Sequence, residues 1–150
     1  MSIRAAINVD VPAVSILVKS LAHYYLDGSG ETLPSWLEDT LTHEAFLARL
    51  TDADCLNLVF DVSGAIVGYI SVKKPGHLYH LFVAEGFQGK GISRLLWEQV
   101  KRQCRCNSFT VRSSIHAIPV YSRFGFTESG PVGTRDGVSF QHMECELGAG

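Results

Sequence analysis

The chain has 150 residues, 46% of them hydrophobic and 19% charged, with a formal net charge of −2. That length and balance read as one globular domain over residues 1–150 with material for a real core, and they exclude a disordered chain. Near-neutrality without a basic run gives no drive toward nucleic acid or an anionic membrane, so neither is expected as a partner.

Taken in order, Ser2–Ile7 reads as a first strand. The N-terminus does not read as a signal peptide, because Arg4, Asp10 and Pro12 interrupt it. Asp10 is expected as an N-cap, with Pro12 in the first turn of a helix running through Val14, Leu17, Val18, Leu21 and Tyr25. Asp27-Gly28-Ser29-Gly30 ends it. Residues 33–50 are weakly helical; Ser35 with Glu38 suggests a capping box, and Phe46, Leu47 and Leu50 fall on one face. Cys55–Val62 and Ala65–Lys73 read as a hairpin around Ser63-Gly64, and Gly76–Val83 as the next strand. Ile92, Leu95, Leu96 and Val100 form a helical stripe continuing to Arg105. Phe109–Ser113 is a strand, and Ile118–Phe124 a short helix with Pro119 in its first turn and Gly125 at its end. Phe126–Gly130 and Val138–Glu146 complete the strands. This order predicts an α/β fold: a central mixed, mostly antiparallel sheet of about seven strands flanked by about four helices. Val138–Glu146, as a last strand, could pair across a homodimer. No run approaches the roughly eighteen apolar residues of a membrane span.

The cysteines are Cys55, Cys104, Cys106 and Cys145. None forms C-x-x-C, and no histidine stands beside them at a zinc-like spacing, so no metal site is expected. Reduced thiols in a cytoplasmic protein are the expectation, with a disulfide framework in an exported domain as the alternative.

The most informative stretch is residues 76–100, where an apolar strand runs into the glycine-rich turn Gln88-Gly89-Lys90-Gly91-Ile92-Ser93 and then into a helix. The first N–H groups of a helix lack internal partners and the helix dipole favours negative charge there, so this is a phosphate cradle in the making. Two common cradles fail on spacing. Gly86 and Gly91 have P-loop spacing, but Ile92 stands where the lysine belongs; Gly89-Lys90-Gly91 is followed by Arg94 where a Rossmann turn needs its third glycine. What remains is Q-x-x-G-x-S, from Gln88, Gly91 and Ser93. It resembles the R/Q-x-x-G-x-G/A signature of the GNAT superfamily of N-acetyltransferases, with Ser93 departing from the usual Gly or Ala. Downstream, Tyr121-Ser122-Arg123-Phe124-Gly125-Phe126 resembles the Y-x-x-x-G-F element of the same superfamily.

The resemblance implies a GNAT-like fold over residues 2–147 and an acetyl-CoA-dependent N-acetyltransferase acting on an amine of a small molecule or a protein. It puts the pyrophosphate of acetyl-CoA over the N–H groups of Gln88, Gly89, Lys90, Gly91, Ile92 and Ser93. The pantetheine arm pairs like an added strand with Leu81, Phe82 and Val83, and Ser114 is a further cofactor-binding candidate. Tyr121 takes the position of the acid that protonates the departing CoA thiolate. Counting back from Gln88, His77 falls where several GNAT enzymes carry a Glu or His that serves as general base, and histidine titrates where a base should. By strand alternation Tyr79 shares the face of His77, while His80 takes the other face unless a bulge intervenes; His80 and Glu31 are further candidates for the base. The acceptor pocket is expected among Tyr24, Tyr25, Asp27, Glu31, Trp36, Glu38 and Asp39, where aromatics and carboxylates suit a cationic amine, with Tyr79 and His80 as further substrate-side candidates. His116 could line the acetyl end or cap a loop. The rival reading within the same fold is a non-catalytic acyl-CoA sensor, which has no need of Tyr121.

Overall fold

The computed structural model describes residues 2–26 and 32–147. Eight strands form one sheet: β1 (Ser2–Ala5), β2 (Cys55–Val62), β3 (Ala65–Lys73), β4 (His77–Val83), β5 (Ser108–Ser114), β6 (Thr127–Glu128), β7 (Gly133–Arg135) and β8 (Val138–Glu146). The order is β1-β2-β3-β4-β5-β8-β6, with β7 on β8. Every pairing is antiparallel except β4 with β5. The helices are α1 (Val11–Leu21), α2 (Ser35–Glu38), α3 (His43–Thr51), α4 (Ile92–Cys104) and α5 (Ile118–Phe124), with short 3₁₀ turns between elements. None of the described helices is long and apolar enough to cross a membrane.

Two apolar layers sandwich the sheet. On one face α4 and α5 bury Leu96, Trp97, Val100 and Tyr121 against Phe109, Val111, Phe126 and Met143. On the other, α1 and α3 bury Val14, Leu17, Val18, Leu21 and Phe46 against Val59, Tyr69 and Phe82. β3 lies under both layers, which is why Val67–Val72 is buried without alternation. β5 alternates, with Phe109 and Val111 buried against α4 while Thr110 is half-buried and Arg112 exposed on the far face. A Cβ at Gly68 would stand 3.1 Å from Leu96 and 3.2 Å from Ile92, so glycine there lets the start of α4 approach β3.

Several local expectations are corrected. The eighth strand, β7, follows from Asp136-Gly137, both at positive φ, a hairpin turn that matches the right-handed twist of its strands. The Asp10 side chain does not cap α1; it accepts from the Ile7 amide at 2.8 Å and pairs with Arg4 at 2.7 Å. The Ser35–Glu38 capping box does not form, and Thr42 caps α3 instead by accepting from the Ala45 amide at 3.1 Å. β8 is flanked by β5 on one side and by β6 and β7 on the other, so the free edge expected for pairing with a second copy is largely occupied. Cys104 and Cys106 are joined as a disulfide rather than remaining thiols, because Arg105 turns back at φ 53° and brings the two Cα atoms to 5.3 Å. Cys55 and Cys145 are free. The expected break at Asp27–Gly30 lies outside the described residues.

Candidate active site

The parallel strands β4 and β5 pair only at His77–Thr110 and Leu78–Val111, then part. Beyond Leu78 one edge of β4 still bonds β3 while the other faces an opening. A cavity of about 480 Å³ occupies that opening. Alternate amides along an antiparallel strand point away from its partner, so this edge offers a bound chain unused donors and acceptors. Leu81, Phe82 and Val83 line the cavity, as does Ser114 across from them, whose hydroxyl accepts from the Ala117 amide at 3.2 Å.

At the far end of the opening, the glycine turn enters α4. Gly91 takes the N-cap position at φ 84°, and an added Cβ there would meet nothing within 4 Å; the same holds at Gly89. This is open space in front of the unpartnered first-turn amides of a 13-residue helix, shaped for an anion. Gln88, Gly89, Gly91, Ile92 and Ser93 line the cavity. Gln88 has a further part: its side-chain amide donates to the Val83 carbonyl at 2.9 Å and ties the turn to the end of β4. Ile92 is buried in the core, so only its backbone faces the cradle. Lys90 is exposed, stands 5.3 Å from the Phe87 ring centroid and does not line the cavity. Two residues not anticipated from the sequence, Arg94 and Arg123, line the same end. Arg94 stands one turn into α4, a position that could have drawn attention as a phosphate partner.

Tyr121 enters from the opposite wall on α5, whose first turn holds Pro119 and whose C-terminus is Gly125 at φ 103°. The side chain packs on Phe124 and Phe126, lines the cavity and is only 6% exposed. Its hydroxyl has no hydrogen-bond partner among the described residues. Burial, reinforced by the facing Tyr25, pushes its pKa far above the ordinary tyrosine value, so the proton stays on at every working pH. Tyr25 lines the cavity too, and burial raises its pKa, with Tyr79 adding and Arg49 opposing.

A bulge decides the histidines. Ser71 faces His80 and Val72 faces Leu78, so Tyr79 is the extra residue in β4. Leu78 therefore joins the α4 core, while His80 and Phe82 pack with Phe46 and Tyr69 on the α1/α3 face. His77, opposite Leu78, shares that second face with His80 rather than opposing it. Plain alternation fails here because the bulge adds one residue. His80 is 4% exposed, neither ring nitrogen has a partner, and burial holds its pKa well below 6.5. It does not line the cavity. His77 is half-buried; its Nδ1 meets Thr110 Oγ1 at 2.9 Å, and burial first, then Arg112 and His142, lower its pKa. It stands at the foot of the opening, below the residues that line the cavity.

Of the expected acceptor residues, Tyr24, Tyr25 and Tyr79 line the cavity. Tyr24 bridges its mouth, stacking on His116 at 4.3 Å and donating to Glu85 at 3.0 Å. His116 thus lines the cavity as well. Trp36 does not: its indole donates to Asp136 at 2.8 Å and Arg135 lies over its ring. Glu38 and Asp39 also lie away from the cavity, and Asp27 and Glu31 fall outside the described residues.

A family profile described as an acetyltransferase (GNAT) domain matches residues 25–147. No curated protein sequence gives a significant match. Among solved structures, the chain is similar to a GCN5-related N-acetyltransferase from Rhodopseudomonas palustris, at 22% identity and a TM-score of 0.81 over 97% of this chain and 95% of that one. It is similar to the PaiA N-acetyltransferase from Thermoplasma acidophilum in complex with coenzyme A, at 19% identity and a TM-score of 0.78 over 97% and 98%. It also resembles a ribosomal-protein-alanine N-acetyltransferase from Brucella melitensis, at 23% identity and a TM-score of 0.73 over 98% and 100%. At these identities the likeness is one of fold.

Proposed function

The chain belongs to the GNAT acetyltransferase domain family, and from that premise we propose that it moves an acetyl group from acetyl-CoA to an amine of a small molecule or a protein. The observation that carries this reading is the Tyr121 hydroxyl, on a buried side chain and without a partner, in the same cavity that the glycine turn and the free edge of β4 line. A binding-only module has no use for such a group. The residues fit acetyl-CoA: open space before the amides at Gly89–Ser93 suits a pyrophosphate, and the parted strands suit an arm with two amides of its own. Bound there, acetyl-CoA supplies an acetyl group already activated as a thioester.

The protein's part is positioning and proton handling. The amides of the α4 N-terminus and the Gln88-braced turn hold the phosphates. A backbone N–H on the free edge of Leu81–Val83 is the donor we assign to the carbonyl oxygen as charge develops there. The acceptor amine must be neutral to attack; a primary alkylamine has a pKa of about 10, so neutrality at pH 7 costs about 4 kcal/mol. His77 is the base we assign to that proton, acting through water because it stands below the residues that line the cavity. Its lowered pKa keeps it neutral at pH 7, and Nε2 has no partner among the described residues while Nδ1 is engaged by Thr110. Tyr121 holds its proton for the leaving sulfur. A CoA thiolate titrating like cysteine, at about 8.5, is a weaker base than a tyrosinate, so the Tyr121 hydroxyl donates a hydrogen bond to the sulfur as negative charge builds there, and the thiol forms as Tyr121 regains a proton, the one the amine gives up balancing the step.

The test is release of free thiol from acetyl-CoA, measured with a thiol reagent across a panel of amines. Thiol release that depends on the amine, with the acetylated amine found by mass spectrometry, is the expected result. Tight acetyl-CoA binding with no turnover for any amine would make the protein a sensor.

A further inference from the structure

This inference rests on the acetyltransferase reading and names the acceptor. Tyr79 and Arg112 are the first residues of β4 and β5 beyond the last paired rung, Leu78–Val111, and both line the cavity with Tyr25 and Tyr121. Arg112 lies on the face of β5 turned away from α4, beside His142 of β8. Its guanidinium rests 5.0 Å from the Phe140 ring centroid, which props the side chain. Among the described residues no carboxylate lies within ion-pair reach of it.

The other arginines of the cavity are engaged. Arg94 pairs with Glu98 at 3.8 Å and donates to the Arg123 carbonyl at 2.8 Å, and Arg123 donates to the Pro119 carbonyl at 3.1 Å. The β8 carboxylate on the Arg112 face is also taken: Glu144 by His142 at 3.3 Å. A guanidinium fork with no anion, at the acceptor end of the cavity, matches the geometry of a carboxylate. The walls limit the size of its carrier. A Leu26–Val138 bridge and the Trp36–Asp136 bond join the segment after α1 to the β7–β8 hairpin, closing that side of the face to an extended chain.

We propose that the acceptor is a small molecule carrying both an amine and a carboxylate, of the free amino-acid class, with Arg112 receiving the carboxylate and Tyr79 flanking the remainder.

The experiment compares free α-amino acids with their amides as acceptors, in the parent, Arg112→Gln and Arg112→Lys proteins. Acetyl-CoA affinity by calorimetry and circular dichroism report that each variant is folded and loaded. The parent should favour acids over amides by about tenfold or more in kcat/KM, the scale of one charge-assisted pair. Arg112→Gln should erase that preference through the KM for the acid, and Arg112→Lys should restore part of it. Equal use of acids and amides by the parent, or a preference that survives in Arg112→Gln, overturns the proposal. So does faster turnover of amidated peptides beginning with Asp or Glu, which would assign the anion to a peptide. Acetyl-CoA binding without turnover of any acceptor would instead overturn the transferase reading, and this inference with it.

Discussion

At the scale of single residues, the proposed site contains two titratable side chains, Tyr121 and His77, whose environments push their pKa values in opposite directions. Tyr121 is buried and unpartnered, so it stays protonated. Tyr121→Phe keeps the ring and its packing on Phe124 and Phe126 and deletes only the hydroxyl. We expect kcat to fall by about 10²–10⁴, the range for losing a positioned acid, with acetyl-CoA affinity little changed. Parent-like turnover would make Tyr121 a packing residue; collapsed affinity would make it a binding residue. His77 is held below the ordinary histidine pKa by burial and by Arg112 and His142. A base titrating there is active above its pKa and silenced below it. The acid limb of kcat/KM should therefore fall below pH 6.5 and vanish in His77→Ala, and an unchanged profile would move the role to water or another group.

At the scale of elements, the cradle is a strand end, a turn and a helix start locked together. Gln88 ties the turn to Val83, and Gly68 admits the α4 N-terminus against β3. Gly91 has a left-handed backbone conformation with open space before it, so two substitutions separate strain from charge. Gly91→Ala should cost about 1–2 kcal/mol of stability through its unfavourable φ. Gly91→Glu should carry the same strain and in addition repel the pyrophosphate, weakening acetyl-CoA binding by about tenfold or more beyond the Ala variant. Calorimetry with melting curves separates the two effects. Equal affinities for the two variants would remove the turn from the phosphate site.

At the scale of the whole molecule, the layer between the sheet and α1/α3 contains a titratable group with no partner. His80 is enclosed by Phe46, Tyr69, Tyr79 and Phe82, with its pKa well below 6.5. The unfolded chain binds the proton first, so the stability this neutral ring contributes is complete above about pH 6.5 and is lost as pH falls toward the folded pKa. Each unit of that fall costs up to about 1.4 kcal/mol per histidine. Melting temperature should drop from pH 7 to pH 5, and His80→Phe should reduce that slope. A slope unchanged by the substitution would assign the acid sensitivity elsewhere.

The turn Gln88–Ser93, the helix it opens and the Tyr121–Phe126 element were legible because each depends on local chemistry: glycines where φ is positive, a proline where an amide is unneeded, apolar residues at helical spacing. The hairpin at Ser63-Gly64 was legible for the same reason, and the one at Asp136-Gly137 carried the same signal. What only the tertiary structure decided depends on pairing between distant segments. The register shift at Tyr79 put His77 and His80 on one face, and no periodicity within β4 contains it, because the extra residue is defined against β3. Trp36 was drawn away from the cavity by Asp136, one hundred residues along the chain. Arg112 reads in sequence as an ordinary exposed position of an alternating strand; only the parting of β4 from β5 after Val111 brings it beside Tyr79 and Tyr121. Local propensities act through neighbours a few residues away, whereas a site between strands is set by long-range contacts that a linear pattern does not encode.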